Sequence, residues 1–551
     1  MTAPDAAEPY LRADLSGPYD AVVIGSGMGG LSAAALLGKY GGKHVLVLER
    51  HYTPGGYTHT FRRPGYEWDV GVHYIGDVQP GTALRALFDD ITGGELQWAD
   101  MGPIYDRVVM GDEAYEFPAG RENLRAALTA RFPAERAAID TYLDLVERSA
   151  ASMESFFKAK ALPAPLAALA GPFLRRAFLG FARRTTRQVL ESLTANQRLI
   201  GVLTAQFVDY GLPPAESSFA AHAAIAHHYL AGGFYPIGGA GRIAATIIPV
   251  IRAAGGTVVT AAQVAEIVVE RGRARGVRMA RDGAIIRAPI VVSDAGATNT
   301  FTRLVPAETR GALGFDRAAR PLQPSLAHLC LYIGLTRTAR ELALPRANLW
   351  IYPDEHHERN LAAAIDDPEA RPPFVYVSFP SAKDPDFERR HPGRATIDVI
   401  TLAGYEHFAG WQGTRWRRRG GDYQALKERL ARRLLDILCA HLPQVRPHVD
   451  VYELSTPLTT RHFCNYAAGE MYGLAHTPAR FRQPSLRPRT ALPGLYLTGQ
   501  DIVTCGVAGA LIGGVLCASA ILQRGLMRRI VGARPIATPQ QAGDDAGHVM
   551  T

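Results

Sequence analysis

Residues 22–30, VVIGSGMGG, carry glycines at 25, 27 and 30, the G-x-G-x-x-G spacing. Each glycine answers a separate need: Gly25 makes a tight turn, Gly27 lets backbone approach a pyrophosphate, and Gly30 lets the following helix sit close to a sheet. A helix beginning there offers unpaired N–H groups and its positive dipole end to phosphate oxygens. Glu49 follows at the end of the next apolar run, where a carboxylate can accept hydrogen bonds from a ribose. The chemistry is dinucleotide binding, and the turn alone admits NAD or FAD.

The far end of the chain separates those two. LYLTGQD followed by a Gly- and Ala-rich run puts Gly499 and Asp501 at a strand-to-helix turn, which in a flavin site can face the ribityl chain and isoalloxazine ring. A second glycine cluster, PIGGAGR at 236–242, lacks the fingerprint spacing and a clear preceding strand. A separate NAD(P)H domain is therefore not expected.

Four stretches, DAVVIGSGMGGLSAAALL, GVHYIGD, TPLTTRHF with GEMYGL, and GLYLTGQDIVTCGVAGALIGG, together resemble the retinol saturase branch of the phytoene desaturase and carotenoid isomerase family. They touch both ends of the chain and points between. The resemblance implies an FAD domain split over three segments, an inserted substrate domain, an architecture shared with amine oxidases, and a long apolar isoprenoid-like or other lipid substrate. Carried over position by position, Gly25, Ser26, Gly27, Met28, Gly29, Gly30, Glu49, Arg50 and Gly56 would hold the ADP half of FAD. Val264 would meet the adenine, and Gly499 and Asp501 the flavin half.

The resemblance also sets His73 and Tyr74, in GVHYIG, near the flavin. Reduction of an alkene needs a hydride from the flavin and a proton from a positioned acid, and either residue can supply the proton; a backbone-bonded histidine is the structural alternative for His73. Glu470, Tyr472 and His476, in GEMYGLAH, are second candidates that can equally serve to shape a turn. Cys505 sits beside the flavin turn without a partner cysteine nearby, and reads as a small packing residue.

The elements that must position these groups follow from periodicity. Residues 19–24 and 44–49 read as buried strands flanking a helix, an α/β, Rossmann-like unit. Residues 51–77, rich in Gly, His and aromatics, read as a ligand-wrapping loop. The expected organisation is FAD-binding segments at 17–80, 231–310 and 490–530, a mainly helical substrate segment at 81–230, and a mostly antiparallel α+β substrate segment at 311–489. A loose tail covers 531–551. Residues 264–283 read as a hairpin, with apolar alternation on either side of Arg271 to Arg275, and the helix from Asp422 is expected to start with that residue as its cap and to stop at Pro443.

Composition bounds the rest. With 551 residues, 47% hydrophobic, the chain can bury large cores in more than one domain. Sixty basic against 52 acidic residues give a net charge of +8, modest for this length; nucleic acid is not expected as a partner. The Arg- and Ala-rich usage is that of a GC-rich, bacterial genome. Five cysteines without a C-x-x-C pair fit a reducing compartment and no metal site. The first 18 residues have no apolar run, so no signal peptide is expected and the default location is cytoplasmic. Residues 161–181 are broken by prolines and an Arg pair, and 506–522 are short for a span. Residues 156–184 can instead lie in a membrane interface, basic groups at the headgroups and Phe and Leu buried, on its inner face; the alternative is a helix pair lining an apolar tunnel.

The expected activity is FAD-dependent chemistry on a C=C bond of a polyene, with saturation ahead of desaturation or cis-trans isomerisation. A non-catalytic prenyl-binding escort protein is the reading from another class. The electron partner stays open among a quinone, NAD(P)H, a partner protein and a small diffusible reagent.

Overall fold

A computed structural model describes residues 7–320 and 322–532; the tail expected over 531–551 lies outside the described residues from 533 onward. Two sheets organise the chain. The first has six parallel strands in the order Glu8–Pro9, Thr257–Thr260, Val45–Leu48, Ala21–Ile24, Ile290–Ser293 and Leu495–Leu497. Its strands AVVI and VLVL are buried at every position, as a parallel sheet covered on both faces requires. The helix Met28–Gly41 leaves the first of these strands through the glycine turn, with Gly25 at φ +101°. The helix Gly506–Leu522 packs directly on it: a Cβ at Gly514 would come within 2.7 Å of the Gly29 carbonyl. Close approach, and not membrane insertion, explains that helix's run of Gly and Ala. Among the described residues no single helix is long and apolar enough to cross a membrane; Gly506–Leu522 and Leu526–Gly532 pass only as a pair bent by 116°.

The second sheet has seven strands in the order Val449–Ser455, Ala327–Leu335, Ala395–Ala403, Val375–Ser378, Asn348–Tyr352, Ile104–Met110 and Glu113–Pro118. It is antiparallel except where Asn348–Tyr352 runs parallel to Ile104–Met110. One face carries Leu329, Leu331, Ile333, Val377 and Val399 and packs on Leu426, Leu430, Leu434 and Leu438 of the helix Gly421–His441. The opposite face, bearing His328, Trp350, Tyr376 and Ile400, floors an internal cavity.

Several sequence expectations change here. Residues 60–69 form a hairpin, Thr60–Arg63 with Tyr66–Asp69, inside the stretch read as a loop. Residues 104–118 form another within the segment read as mainly helical. Asp422 is not the helix cap: Gly420 occupies that position, and Asp422 stands in the first turn, where its carboxylate suits the helix dipole and accepts from the Trp411 indole. Residues 156–184 fold as the end of helix Arg136–Ala161 and the helix Ala164–Ala182, packed as a hairpin.

Candidate functional site

One cavity of about 2210 Å³ runs from the glycine turn to the second sheet. Typical small-molecule sites hold about 300–1,000 Å³, so this one has room for a dinucleotide and a second long ligand together. Gly25, Gly27, Met28, Gly29, Glu49, Arg50, Gly56, Val264, Gly499 and Asp501 all line it. Ser26 and Gly30 stand behind the wall. Ser26 donates through its N–H and its hydroxyl to Glu49 Oε2 at 2.8 and 2.7 Å, while the His51 N–H donates to Oε1 at 2.7 Å. Glu49 thereby braces the glycine turn as well as presenting an acceptor at its edge.

Asp501 joins the other end. Its Oδ2 accepts from the Ala297 N–H at 2.7 Å and its Oδ1 from the Leu474 N–H at 3.1 Å, tying two remote chain segments to one carboxylate. Arg50 donates to the carbonyl of His462 at 2.6 Å, closing the wall beside Glu49.

A residue not singled out from sequence, Asp294, lies under the turn. It follows the strand Ile290–Ser293, and burial pushes its carboxyl up to about 8 while the N–H groups of Gly30 and Gly27 pull the other way. A Cβ on Gly27 would stand 2.5 Å from its Oδ2, and one on Gly29 would stand 2.6 Å from its Oδ1. The second and third glycines of the turn are thus required by this carboxyl as much as by any phosphate. The signal was present as an acidic residue closing the apolar strand IVVS.

At the inner end the cavity meets His73, Tyr74, Asp209 and Tyr472. His73 Nδ1 lies 3.4 Å from Asp398 Oδ2, and burial together with Lys383 pushes its pKa down to about 3. It is a neutral imidazole at physiological pH and holds no imidazolium proton to give. Tyr74 stacks on Tyr229 at 4.0 Å and reaches Asp209 Oδ2 at 2.8 Å and Asp106 Oδ2 at 3.1 Å. Burial first, and the Asp106 charge second, push Asp209 up to about 8. Tyr472 is held by its N–H on Ser325 Oγ at 2.9 Å, and burial keeps its phenol protonated.

Beneath them runs a polar row inside an apolar sheet. Register pairs Asp106 with Asn348 and Ser378 with Asp398. Lys383 closes the row, donating to Ser378 Oγ at 2.8 Å, to the His73 carbonyl at 2.9 Å and to Asn348 Oδ1; burial brings its ammonium down to about 7. Buried polar residues in four neighbouring strands are the trace such a row leaves in a sequence, but it becomes legible only once the register is known.

Glu470 and His476 are not brought to the cavity. Glu470 Oε2 accepts from the Ala468 N–H at 2.8 Å and its carbonyl accepts from Tyr57, so it shapes a turn. His476 is fully buried against the Arg480 guanidinium at 2.9 Å. Cys505 lines the cavity as a free thiol, its pKa pushed up to about 12 by burial.

Comparison with known proteins adds to this geometry. Residues 23–91 match the NAD(P)-binding Rossmann-like domain family. The human all-trans-retinol 13,14-reductase is 38% identical over 525 residues, 92% of this chain and 86% of that protein. A zebrafish (Danio rerio) protein named inactive all-trans-retinol 13,14-reductase is 32% identical over 543 residues, 94% of this chain and 87% of its own. The chloroplastic prolycopene isomerase of Arabidopsis thaliana is 24% identical over 515 residues, 91% and 82% of the two chains. The solved structure of cyclohexylamine oxidase from Brevibacterium oxydans IH-35A aligns with a TM-score of 0.58 at 16% identity, covering 94% of this chain and 99% of that one; a likeness at that identity is one of fold.

Proposed function

This chain belongs to the all-trans-retinol 13,14-reductase family, and from that premise we propose that it is an FAD-dependent oxidoreductase that saturates one C=C bond of a retinoid- or carotenoid-like polyene. One observation carries the reading: a single cavity joins the glycine turn to an apolar inner end lined by Val208, Ile225, Trp350, Tyr376 and Ile400. A dinucleotide and a polyene can meet there without crossing solvent.

The residues present fit FAD. Glycines at 27, 29 and 56 bring three backbone walls together so closely that a Cβ at Gly56 would lie 3.0 Å from Gly27 Cα. Glu49 offers its carboxylate at one end, and Asp501 fixes the turn at the other. Met28 opens the helix whose N-terminus faces the cavity, and Val264 stands 8% exposed where an adenine would pack. FAD, when bound and reduced, supplies a hydride to an alkene carbon. The protein's own part is to exclude water with the aromatic inner walls, orient the chain of the substrate, and hold a proton at Tyr74 and its carboxylate neighbours.

Retention of Glu49 and Asp501 argues against an escort protein without redox chemistry. The likeness to prolycopene isomerase favours a second reading, flavin-dependent isomerisation or desaturation on the same scaffold. The electron donor is a quinone, NAD(P)H, a partner protein or a small reagent; anaerobic mixing with each, following flavin bleaching, identifies it.

We further propose a cytoplasmic enzyme bound peripherally to the inner face of the membrane through helix Ala164–Ala182. Leu166, Leu169 and Phe173 are 53%, 85% and 80% exposed at helical spacing. Arg176 on the same helix and Arg183 and Arg184 at its C-terminal end stand exposed, suited to anionic headgroups, and Leu174 lines the cavity. Phe178 takes no part in such a face, since it is 1% exposed and packed on Phe156 and Phe481. The absorption spectrum of the purified protein tests the core of the proposal: a two-banded flavin spectrum supports it, and a colourless protein that FAD does not reconstitute refutes it.

A further inference from the structure

The Tyr74 hydroxyl lies 2.8 Å from Asp209 Oδ2 and 3.1 Å from Asp106 Oδ2. A phenol has one hydrogen to donate. Both contacts are hydrogen bonds only if one of the two carboxyls keeps its own proton and donates it to the phenol oxygen.

The surroundings decide which. Asp106 already accepts on both oxygens, from the Gln206 amide on Oδ2 at 2.8 Å and from the Asn348 amide on Oδ1 at 2.8 Å. The Asn348 amide cannot be turned round, because its carbonyl oxygen accepts from the Lys383 ammonium. Asp106 is therefore the ionised partner and takes the Tyr74 hydrogen as a third donor. Asp209 meets Tyr74 from the cavity side and carries the remaining proton. Burial pushing the Asp209 carboxyl up to about 8 points the same way.

We propose that Asp209 is the catalytic acid, giving its carboxyl proton to the substrate alkene, and that Tyr74 and Asp106 are the positioning residues that keep it loaded. The assignment rests on the reading of this cavity as a site of alkene saturation. In the balanced step one alkene carbon receives a hydrogen with two electrons from reduced FAD, and the other receives the proton of Asp209. The double bond becomes a single bond, FAD is left oxidised, and Asp209 is left a carboxylate. Tyr74 then turns its hydrogen from Asp106 to the new carboxylate, and water in the cavity returns the proton. Asp209 lines the same cavity as Tyr472, Cys505 and the Gly499–Asp501 turn.

The test uses holoenzyme and all-trans-retinol. Asp209→Asn keeps a donor to the Tyr74 oxygen and removes the transferable proton; Asp209→Glu restores an acid. Dithionite-reduced enzyme is mixed anaerobically with all-trans-retinol and flavin reoxidation is followed. A general acid is worth about 10²–10⁴-fold, so Asp209→Asn is expected to slow reoxidation by that factor, with Asp209→Glu recovering part of it and the oxidised-flavin spectrum unchanged in both. A second readout needs no substrate: the infrared difference between wild type and Asp209→Asn at neutral pH is expected to show loss of one carboxylic-acid carbonyl band. Reoxidation of Asp209→Asn at the wild-type rate, or an unchanged acid band, overturns the assignment alone. A wild-type enzyme that reduced FAD leaves inert toward all-trans-retinol refutes the saturase reading, and the assignment falls with it.

Discussion

Gly29→Ala tests whether the two ends of the dinucleotide site are held together by contact across the glycine turn. A Cβ at Gly29 would stand 2.5 Å from both Cα and N of Gly499 and 2.6 Å from Asp294 Oδ1. Unstrained carbon contacts lie at about 3.5–4.0 Å, so the Gly499 turn must retreat by about 1 Å, and backbone cannot rotate away as a side chain does. Overpacking of this kind costs about 1–3 kcal/mol. Spent on separating the flavin half of the site from the ADP half, it weakens FAD by about 5- to 150-fold at about 1.4 kcal/mol per tenfold. The assay is titration of deflavinated protein with FAD, by quenching of flavin fluorescence, alongside the flavin content of protein as purified. Gly180→Ala is the control: nothing lies within 4 Å of its Cβ, and it sits exposed in a helix, where alanine gains up to about 1 kcal/mol over glycine. Gly180→Ala is expected to bind FAD as wild type does. A Gly29→Ala protein with unchanged affinity would refute the contact between the two ends as the basis of the site.

Three further outcomes follow from the same structure. Because the Asp209 carboxyl is raised to about 8, its acid form is loaded below that pH and lost above it; turnover should fall as pH rises through about 8, and Asp209→Asn should flatten that limb. Replacing Leu166, Leu169 and Phe173 together by serine removes the exposed apolar strip and should reduce sedimentation with anionic liposomes at least tenfold, since each fully buried side chain is worth about 1.5–3 kcal/mol; undiminished binding sinks the membrane proposal. Phe178→Ala should leave liposome binding alone and instead cost about 3–5 kcal/mol of stability, read by denaturant melts, because it vacates a site enclosed by Phe156 and Phe481.

What the sequence disclosed was local. The glycine turn, Glu49 and the Gly499–Asp501 turn each announce themselves within a few residues, because tight turns and helix starts constrain neighbours in the chain. Asp106 shows what stayed hidden. It occupies an inward position of the strand Ile104–Met110 with no exposure, and so breaks the apolar alternation that would have revealed the hairpin. Its partners Gln206, Asn348 and Tyr74 are remote in sequence, and only the pairing of strands assembles them. Phe173 and Phe178 make the same point on a helix: both are apolar in an apolar run, and only the packing of Phe156 and Phe481 tells the buried ring from the bare one.

The most direct measurement is product analysis after anaerobic incubation of the dithionite-reduced holoenzyme with all-trans-retinol. Saturation of one double bond gives a product heavier by two hydrogens with a shortened polyene chromophore, formed in step with reappearance of oxidised flavin. Recovery of unchanged retinol beside flavin that stays reduced, or of a geometric isomer of unaltered mass, would contradict it.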